Sequence, residues 1–219
     1  LIPHHINQII MSIKTYISLL LGLCFVTQVD AVIRRHDLSD TYYLMDQTEH
    51  AYVVYWGCSS TLIHPQWLLT AAHCIDGFDG NGVATKSSVT IAGITYKVSS
   101  PLYSHPEYRS VRRQDYDERL NDIALVKLEE PVFGVEPASL FEMPLTSGEN
   151  VQLWGFGHTG DGLTGQIRPC GNEPCSIELR RGTSVVGLIT PHELYLRFLN
   201  PEQGGATEYE GHIANGDSG

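Results

Sequence analysis

The sequence predicts an all-β protein. After residue 31, short runs rich in β-branched and aromatic residues alternate with Gly, Pro, Asn and Asp. No long apolar pattern at helical spacing occurs in that part of the chain. This pattern alone leaves a sandwich and a barrel open.

Six of these runs are the clearest strand candidates, because each is short, apolar or alternating, and bounded by turn residues. In chain order they are 51–56, 60–63, 66–70, 88–93, 123–128 and 150–155.

Composition limits the classes of function. The 219 residues are enough to bury the core of one or two domains. The formal net charge of -11 argues against a nucleic-acid binder, whose phosphate partner requires a basic face. We find no nucleotide-binding loop and no Cys/His zinc pattern, and therefore predict no cofactor and no metal.

The N-terminal residues predict export. Residues 1–10 precede the first methionine, Met11, and are interpreted as upstream or leader residues. Residues 11–31 form a predicted signal peptide, with Lys14, an apolar run over 17–26 and small residues before a cleavage site after Ala31. The run is shorter than the roughly 20 residues of a membrane span. A buried N-terminal helix is the alternative, but the flanks favour secretion into an extracellular or periplasmic space.

Cysteine usage agrees with export. Cleavage would remove Cys24 and leave Cys58, Cys74, Cys170 and Cys175. Four cysteines in an exported chain favour two disulfides, with three alternative connectivities.

Three segments carry a histidine, an aspartate and a serine in a fixed order. They are Leu69–Cys74 (LTAAHC), Asn121–Leu125 (NDIAL) and Gly216–Gly219 (GDSG). Singly, the histidine could be a core residue, the aspartate a turn cap and the serine an ordinary turn residue. Together they resemble the chymotrypsin/trypsin-type serine endopeptidase family, and the resemblance covers nearly all of residues 32–219.

The chemistry explains this set of residues. A serine hydroxyl is a weak nucleophile that needs a base within hydrogen-bond reach, and histidine suits that role near neutral pH. The resemblance implies that His73 is the general base and then acid, Asp122 the orienting carboxylate and Ser218 the nucleophile. It also implies that the backbone N–H groups of Gly216 and Ser218 form the oxyanion hole.

The resemblance also implies the architecture. It predicts two six-stranded antiparallel β-barrels with a catalytic cleft between them: an N-terminal barrel over about 32–130, a linker over about 131–147 and a partial C-terminal barrel over about 148–219. The second barrel is expected to be incomplete in this chain, so we predict that these 219 residues alone are inactive. The family pairs Cys58 with Cys74, which leaves Cys170 to pair with Cys175 across a short loop.

An activation ion pair is implied at Asp217. In the family, the equivalent aspartate receives the α-amino group that proteolytic cleavage releases. The candidate here is Val32, directly after the predicted signal cleavage site, so signal peptidase itself would create the activating terminus. Processing after Arg34 and Arg35 is the alternative.

Substrate preference departs from trypsin. The residue six before the nucleophile, where an aspartate would select Lys or Arg, is His212. His212 is therefore the candidate specificity residue and could favour an acidic side chain, unless a different loop displaces it from the pocket.

Two other interpretations compete with a secreted serine endopeptidase that acts on proteins or peptides. One is a catalytically silent homologue that serves as an interaction protein, and the other is an inactive truncated product. Protein inhibitors could be further partners.

Overall fold

The computed structural model describes residues 32–76, 87–112, 117–167, 177–191 and 193–219. The predicted signal peptide, Cys170 and Cys175 lie outside these ranges. The strands of the first part are β1 Val32–Arg34, β2 Val53–Tyr55, β3 Ser59–His64, β4 Trp67–Thr70, β5 Ser88–Ile91, β6 Ile94–Lys97, β7 Tyr103–Ser104, β8 Arg109–Arg112, β9 Asp117–Leu120 and β10 Ala124–Lys127. Those of the second part are β11 Asn150–Gly155, β12 Thr159–Asp161, β13 Gly165–Ile167, β14 Arg180–Ile189, β15 Leu194–Leu196 and β16 Gly211–His212.

Helical structure is limited to short pieces within the described ranges. One α-helical turn, α1, spans His73–Asp76, and two 3-10 turns span Asp40–Tyr42 and Pro201–Gln203. No helix in the described part of the chain is long and apolar enough to cross a membrane. The all-β prediction is confirmed.

The first part is built on a five-stranded sheet in the order β2-β3-β4-β10-β7, beside the hairpins β5-β6 and β8-β9. Alternate residues of β10 are buried, as expected for a strand with one face on a core. Apolar side chains from these strands form one cluster: Val54, Trp56, Leu62, Leu68, Ala72, Ile75, Val89, Ile91, Tyr96, Ala124, Val126, Leu128 and Val132.

The second part contains two sheets, β13-β12-β1-β16 and β11-β14-β15. β1 lies between β12, to which it runs parallel, and β16. Although β1 comes first along the described chain, it therefore pairs with strands of the second part. A smaller core of Val53, Phe156 and Leu179 contains residues of both parts.

Residues 131–147, the predicted linker, contain no helix or strand. The backbone N–H groups of Val132 and Ala138 donate to the carbonyls of Pro65 and Leu62, so the segment is held against the β3-β4 region. The strand pairings are consistent with two barrels, and six strands in each remains a prediction.

Candidate active site

Strand register brings His73 and Asp122 together. In the antiparallel pair β4-β10, Thr70 lies opposite Ala124. His73 follows the end of β4 by three residues, and Asp122 precedes the start of β10 by two. Because antiparallel neighbours run in opposite directions, both residues emerge at the same edge of the sheet.

The two side chains form a two-point contact. The Nδ1 atom of His73 lies 2.7 Å from Oδ2 of Asp122, and the backbone N–H of His73 donates to Oδ1 at 2.9 Å. Burial alone would raise the pKa of the Asp122 carboxyl, but the hydrogen bonds from His73 and the charge of Arg119 hold it below its ordinary value. Asp122 is therefore an anion at neutral pH and fixes the orientation of the imidazole.

A disulfide fixes the histidine from the other side. Cys74, the next residue in α1, is bonded to Cys58, as the resemblance implied. The sulfur atoms of this disulfide lie near the His73 ring, in a group whose atoms are all within 4.8 Å of one another. Both sulfurs are used in the S–S bond, so neither can act as the thiolate ligand that a metal site would need.

Ser218 is attached to the same strand region through its backbone. Its carbonyl accepts a hydrogen bond of 2.7 Å from the backbone N–H of Ser59, the first residue of β3. The carbonyl of Ser59 accepts in turn from the hydroxyl of Thr70, at 3.0 Å. Gly219 lies so close to the Ser59 carbonyl that an added β-carbon would overlap it.

One cavity of about 440 Å³ contains all three predicted catalytic residues. Its lining residues are Leu69, Thr70, Ala71, His73, Arg119, Asp122, Ile123, Ser218 and Gly219. The structure therefore brings His73, Asp122 and Ser218 together around one space that is open to solvent.

Asp217, the residue before Ser218, is buried, with 8% of its surface exposed. Its carboxylate accepts backbone hydrogen bonds of 2.8 Å from Gly157 and from Ala214. Burial raises the pKa of Asp217, while these N–H groups, the backbone of Val32 and the charge of Arg180 oppose that rise.

Val32, the other member of the predicted activation pair, lies beside Asp217. It is 1% exposed, and its backbone donates to the Asp217 carboxylate. Its Cγ1 atom packs against Gly182 and Gly211, where an added β-carbon would approach it to 3.0 and 2.8 Å. These glycines leave room for the valine side chain.

His212, the candidate specificity residue, lies in β16 opposite Ile33 of β1. Its Nδ1 atom is 2.8 Å from the carbonyl oxygen of Ile213, and its ring contacts that of Phe198 at a centroid distance of 5.9 Å. Among the described residues, the lining of the His73–Ser218 cavity does not include His212.

Three features of the site were missed by sequence reasoning. Arg119 lines the cavity, and Gly155 lies directly against the Asp217 carboxylate. Arg180, which is fully buried, interacts electrostatically with Asp217. The sequence signal for Arg180 was weak, because two adjacent arginines in a strand do not reveal which one faces inward.

Comparisons with known proteins show which sequences and structures the chain resembles. The family model described as Trypsin matches residues 39–219. Kallikrein-4 of Homo sapiens is 28% identical over 169 residues, covering 74% of this chain and 60% of the relative. Trypsin of Squalus acanthias is 28% identical over 164 residues, covering 73% and 68%. Venom serine protease 34 of Apis mellifera is 34% identical over 116 residues, covering 47% and 28%.

The chain thus spans between 28% and 68% of the length of these three relatives. A solved structure of neuropsin, described as a serine protease expressed in the limbic system of mouse brain, has a TM-score of 0.54 at 18% identity. That likeness covers 81% of this chain and 78% of neuropsin, and it bears on the fold alone.

Proposed function

The chain belongs to the trypsin family, and we propose on that basis that its protein is a secreted serine endopeptidase. It would hydrolyse peptide bonds through Ser218, His73 and Asp122 by way of an acyl-enzyme. The observation that carries the proposal is the 2.7 Å contact between His73 and Asp122 in a cavity that Ser218 also lines.

In the first half of the reaction, the Oγ atom of Ser218 attacks the carbonyl carbon of the scissile peptide bond. Its proton passes to Nε2 of His73, while Asp122 stabilises the imidazolium through Nδ1. His73 then gives the proton to the leaving nitrogen. The C–N bond breaks, an amine departs and the acyl group remains esterified to Ser218.

The second half repeats these transfers with water. His73 removes a proton from a water molecule, whose oxygen attacks the ester carbon. The C–O bond to Ser218 breaks, and the proton on His73 returns to Oγ. The carboxylic acid leaves, and the enzyme returns to its starting state.

The negative charge that develops on the carbonyl oxygen needs donors. We assign this role to the backbone N–H groups of Gly216 and Ser218. Gly216 has a φ of 91°, which favours glycine, and a β-carbon there would lie 2.9 Å from the Cα atom of Gly157.

The mature protein is proposed to begin at Val32, whose α-amine would pair with Asp217. Two observations support this start. The Val32 backbone already contacts Asp217. Its φ of 71° is also strained for a β-branched residue, and cutting the preceding bond would remove that restriction. N-terminal sequencing of secreted protein should read Val-Ile-Arg-Arg, and a start beyond Val32 would contradict this assignment.

Substrates are proposed to be proteins or peptides, and protein inhibitors could bind the same cavity. His212 remains our candidate for the base of the primary specificity pocket. A preference for Glu over Lys at the cleaved position that is lost in His212→Ala would support it.

Covalent labelling of Ser218 tests the proposal. The complete coding sequence is expressed for secretion, and the protein is treated with a fluorophosphonate probe, which reacts with activated serines. We expect labelling in the parent, none in Ser218→Ala, and unchanged labelling in Ser110→Ala, a matched change at an exposed serine of β8.

The outcomes separate the competing interpretations. Labelling that survives in Ser218→Ala would place the nucleophile elsewhere. A folded parent protein that is not labelled would favour the silent homologue acting as an interaction protein.

A further inference from the structure

The Asp217 carboxylate packs against Gly155 of β11, which has no side chain. Its Oδ1 atom occupies the place where a β-carbon on Gly155 of β11 would lie. In the β11-β14 pair, Gly155 is directly opposite Arg180. Because directly opposed residues on antiparallel strands project to the same face, the Arg180 side chain extends toward the side on which the Asp217 carboxylate lies.

Arg180 is buried among carboxylates. It has no exposed surface, and its guanidinium contacts Asp40 through two nitrogen atoms, at 2.8 and 3.2 Å. Glu178, at the rim, lies 3.3 Å away. Burial lowers the pKa of Arg180 to about 10, and the charge of Asp217 opposes that fall, so Arg180 is a cation at neutral pH.

The charged groups around the buried Arg180 can be compared by sign. Within the described residues, the Arg180 guanidinium contacts the carboxylates of Asp40 and Glu178, and its charge also acts on the buried Asp217 carboxylate. The charge of Arg34 acts on Asp40 as well. The α-amine of a chain that begins at Val32 would supply a further cation. Before cleavage, Val32 offers only an amide N–H, and among the described residues Arg180 is the guanidinium whose charge acts on Asp217.

We infer that Arg180 is a built-in counter-charge for Asp217, which keeps the 214–219 loop ordered while Val32 is still joined to a preceding residue. This inference rests on the proposed function, because it concerns regulation of the same site. It makes Arg180 a positioning residue: the uncleaved protein would keep part of the reactivity of Ser218, and cleavage before Val32 would add the rest.

The test compares two forms of the complete protein, one beginning at Val32 and one with a Gly-Ser-Ala extension that leaves Val32 as an amide. Arg180→Met alone would leave Asp40 buried without its partner, so the informative variant is Asp40→Asn with Arg180→Met. Asp40→Asn alone is the matched control, since it retains Arg180.

The primary readout is the titration of Asp217, followed by carbon NMR with carboxyl-labelled aspartate and assigned by the loss of its signal in Asp217→Asn. In the extended form we expect the double variant to titrate about one pH unit above Asp40→Asn, because a cation near a carboxylate favours its charged form. In the form beginning at Val32 the difference should be smaller. Equal midpoints in the two extended variants would overturn the inference.

Fluorophosphonate labelling is the second readout. In the extended form, losing Arg180 should slow labelling of Ser218 by about tenfold, because a shift of about one pKa unit in Asp217 corresponds to a tenfold change in the population of its charged form. Arg180→Lys, which keeps the charge, should restore most of the rate. Equal rates with and without Arg180 would overturn the inference.

Failure of the inference and failure of the proposed function can be told apart. If the Val32 form is not labelled but the Asp217 titration still depends on Arg180, only the proposed function fails. If Asp40→Asn with Arg180→Met does not fold, Asp40→Asn with Arg180→Gln replaces it, because glutamine keeps a hydrogen-bond donor beside position 40. The Asp217 titration midpoints of that variant and of Asp40→Asn, both in the extended form, then decide the test.

Discussion

The two walls of the cavity are built differently. On the His73 side, a disulfide, the register of β4 and β10 and a two-point carboxylate contact all fix the same residue. On the Ser218 side, the loop 213–219 is mostly exposed, and Asp217 is its buried residue. Backbone contacts to Ser59 and Gly157 connect that loop to the fold.

This difference implies that the two walls respond to different changes. The His73 side, called here the acid–base wall, is held by a disulfide, strand pairing and hydrogen bonds. A change to the Asp122 side chain alone should therefore alter the chemistry with little change in structure. The Ser218 side, called here the nucleophile wall, contains the buried carboxylate of Asp217. If the proposed function is right, the order of this wall should vary with the ionisation of Asp217 and with nearby charge.

Asp122→Asn should have the largest effect on rate. Asparagine keeps the shape of the aspartate but favours the wrong tautomer of His73, and in the Ser-His-Asp template this lowers kcat by about 10⁴-fold. Steady-state hydrolysis of peptide substrates would measure the loss, and the thermal midpoint should change little. Asp46→Asn, at an exposed turn, is the control. A loss below about tenfold would contradict the role of Asp122.

Removing the disulfide should have the largest effect on stability. Cys58 and Cys74 are separated by 16 residues, and closing a loop of that size stabilises a fold by about 3 kcal/mol. We expect Cys58→Ala with Cys74→Ala to lower the free energy of unfolding in urea by about that amount. The Asp217 titration should remain unchanged, and a shift in it would show that the two walls are coupled.

Gly216→Ala tests the nucleophile wall directly. An alanine at its φ of 91° costs about 1–2 kcal/mol, and the β-carbon would meet the backbone of Gly157. We expect kcat to fall by about tenfold or more, toward the hundredfold typical of losing an oxyanion donor. Gly204→Ala is a matched control, because φ there is 77° but nothing lies within 4 Å of the added carbon. Equal activity in both variants would contradict the assignment.

The placement of His73 and Asp122 around one cavity was predicted from the family resemblance that the three motifs show together, because each motif alone is ambiguous. His73 and Asp122 each lie within three residues of a strand that its apolar pattern reveals. The pairing of Cys58 with Cys74 came from the family resemblance. Ser218 lies in a short glycine-containing motif, and its place beside His73 likewise came from the family resemblance.

The charge environment of Asp217 could not be predicted, because it depends on strand register and on distant partners. Arg180 and Arg181 are adjacent, and a shift of one residue would exchange the buried one for the partly exposed one. The partner of Arg180 is Asp40, which is 140 residues away along the chain. Likewise, Arg119 belongs to a stretch of mixed charge, and the pairing of β8 with β9 places it at the cavity.

Arg119→Gln should have the smallest effect on rate and stability, and it tests how a nearby charge acts on the acid–base wall. The Arg119 charge helps to lower the pKa of Asp122, against the effect of burial, so its loss should raise that pKa toward the ordinary value. A carboxylate whose pKa is lowered in the folded state stabilises the fold at pH values above its pKa in the unfolded state. That stability is lost as the pH falls through the pKa of the folded state.

The variant should therefore lose stability at a higher pH than the parent, seen as a lower thermal midpoint between about pH 3 and 5. At neutral pH, kcat/KM should change by less than about threefold, as expected for a partly exposed charge. Arg109→Gln, an exposed arginine of the same hairpin, is the control. If it shifted the midpoint equally, the effect would arise from net charge, and the position of Arg119 at the cavity would have no role.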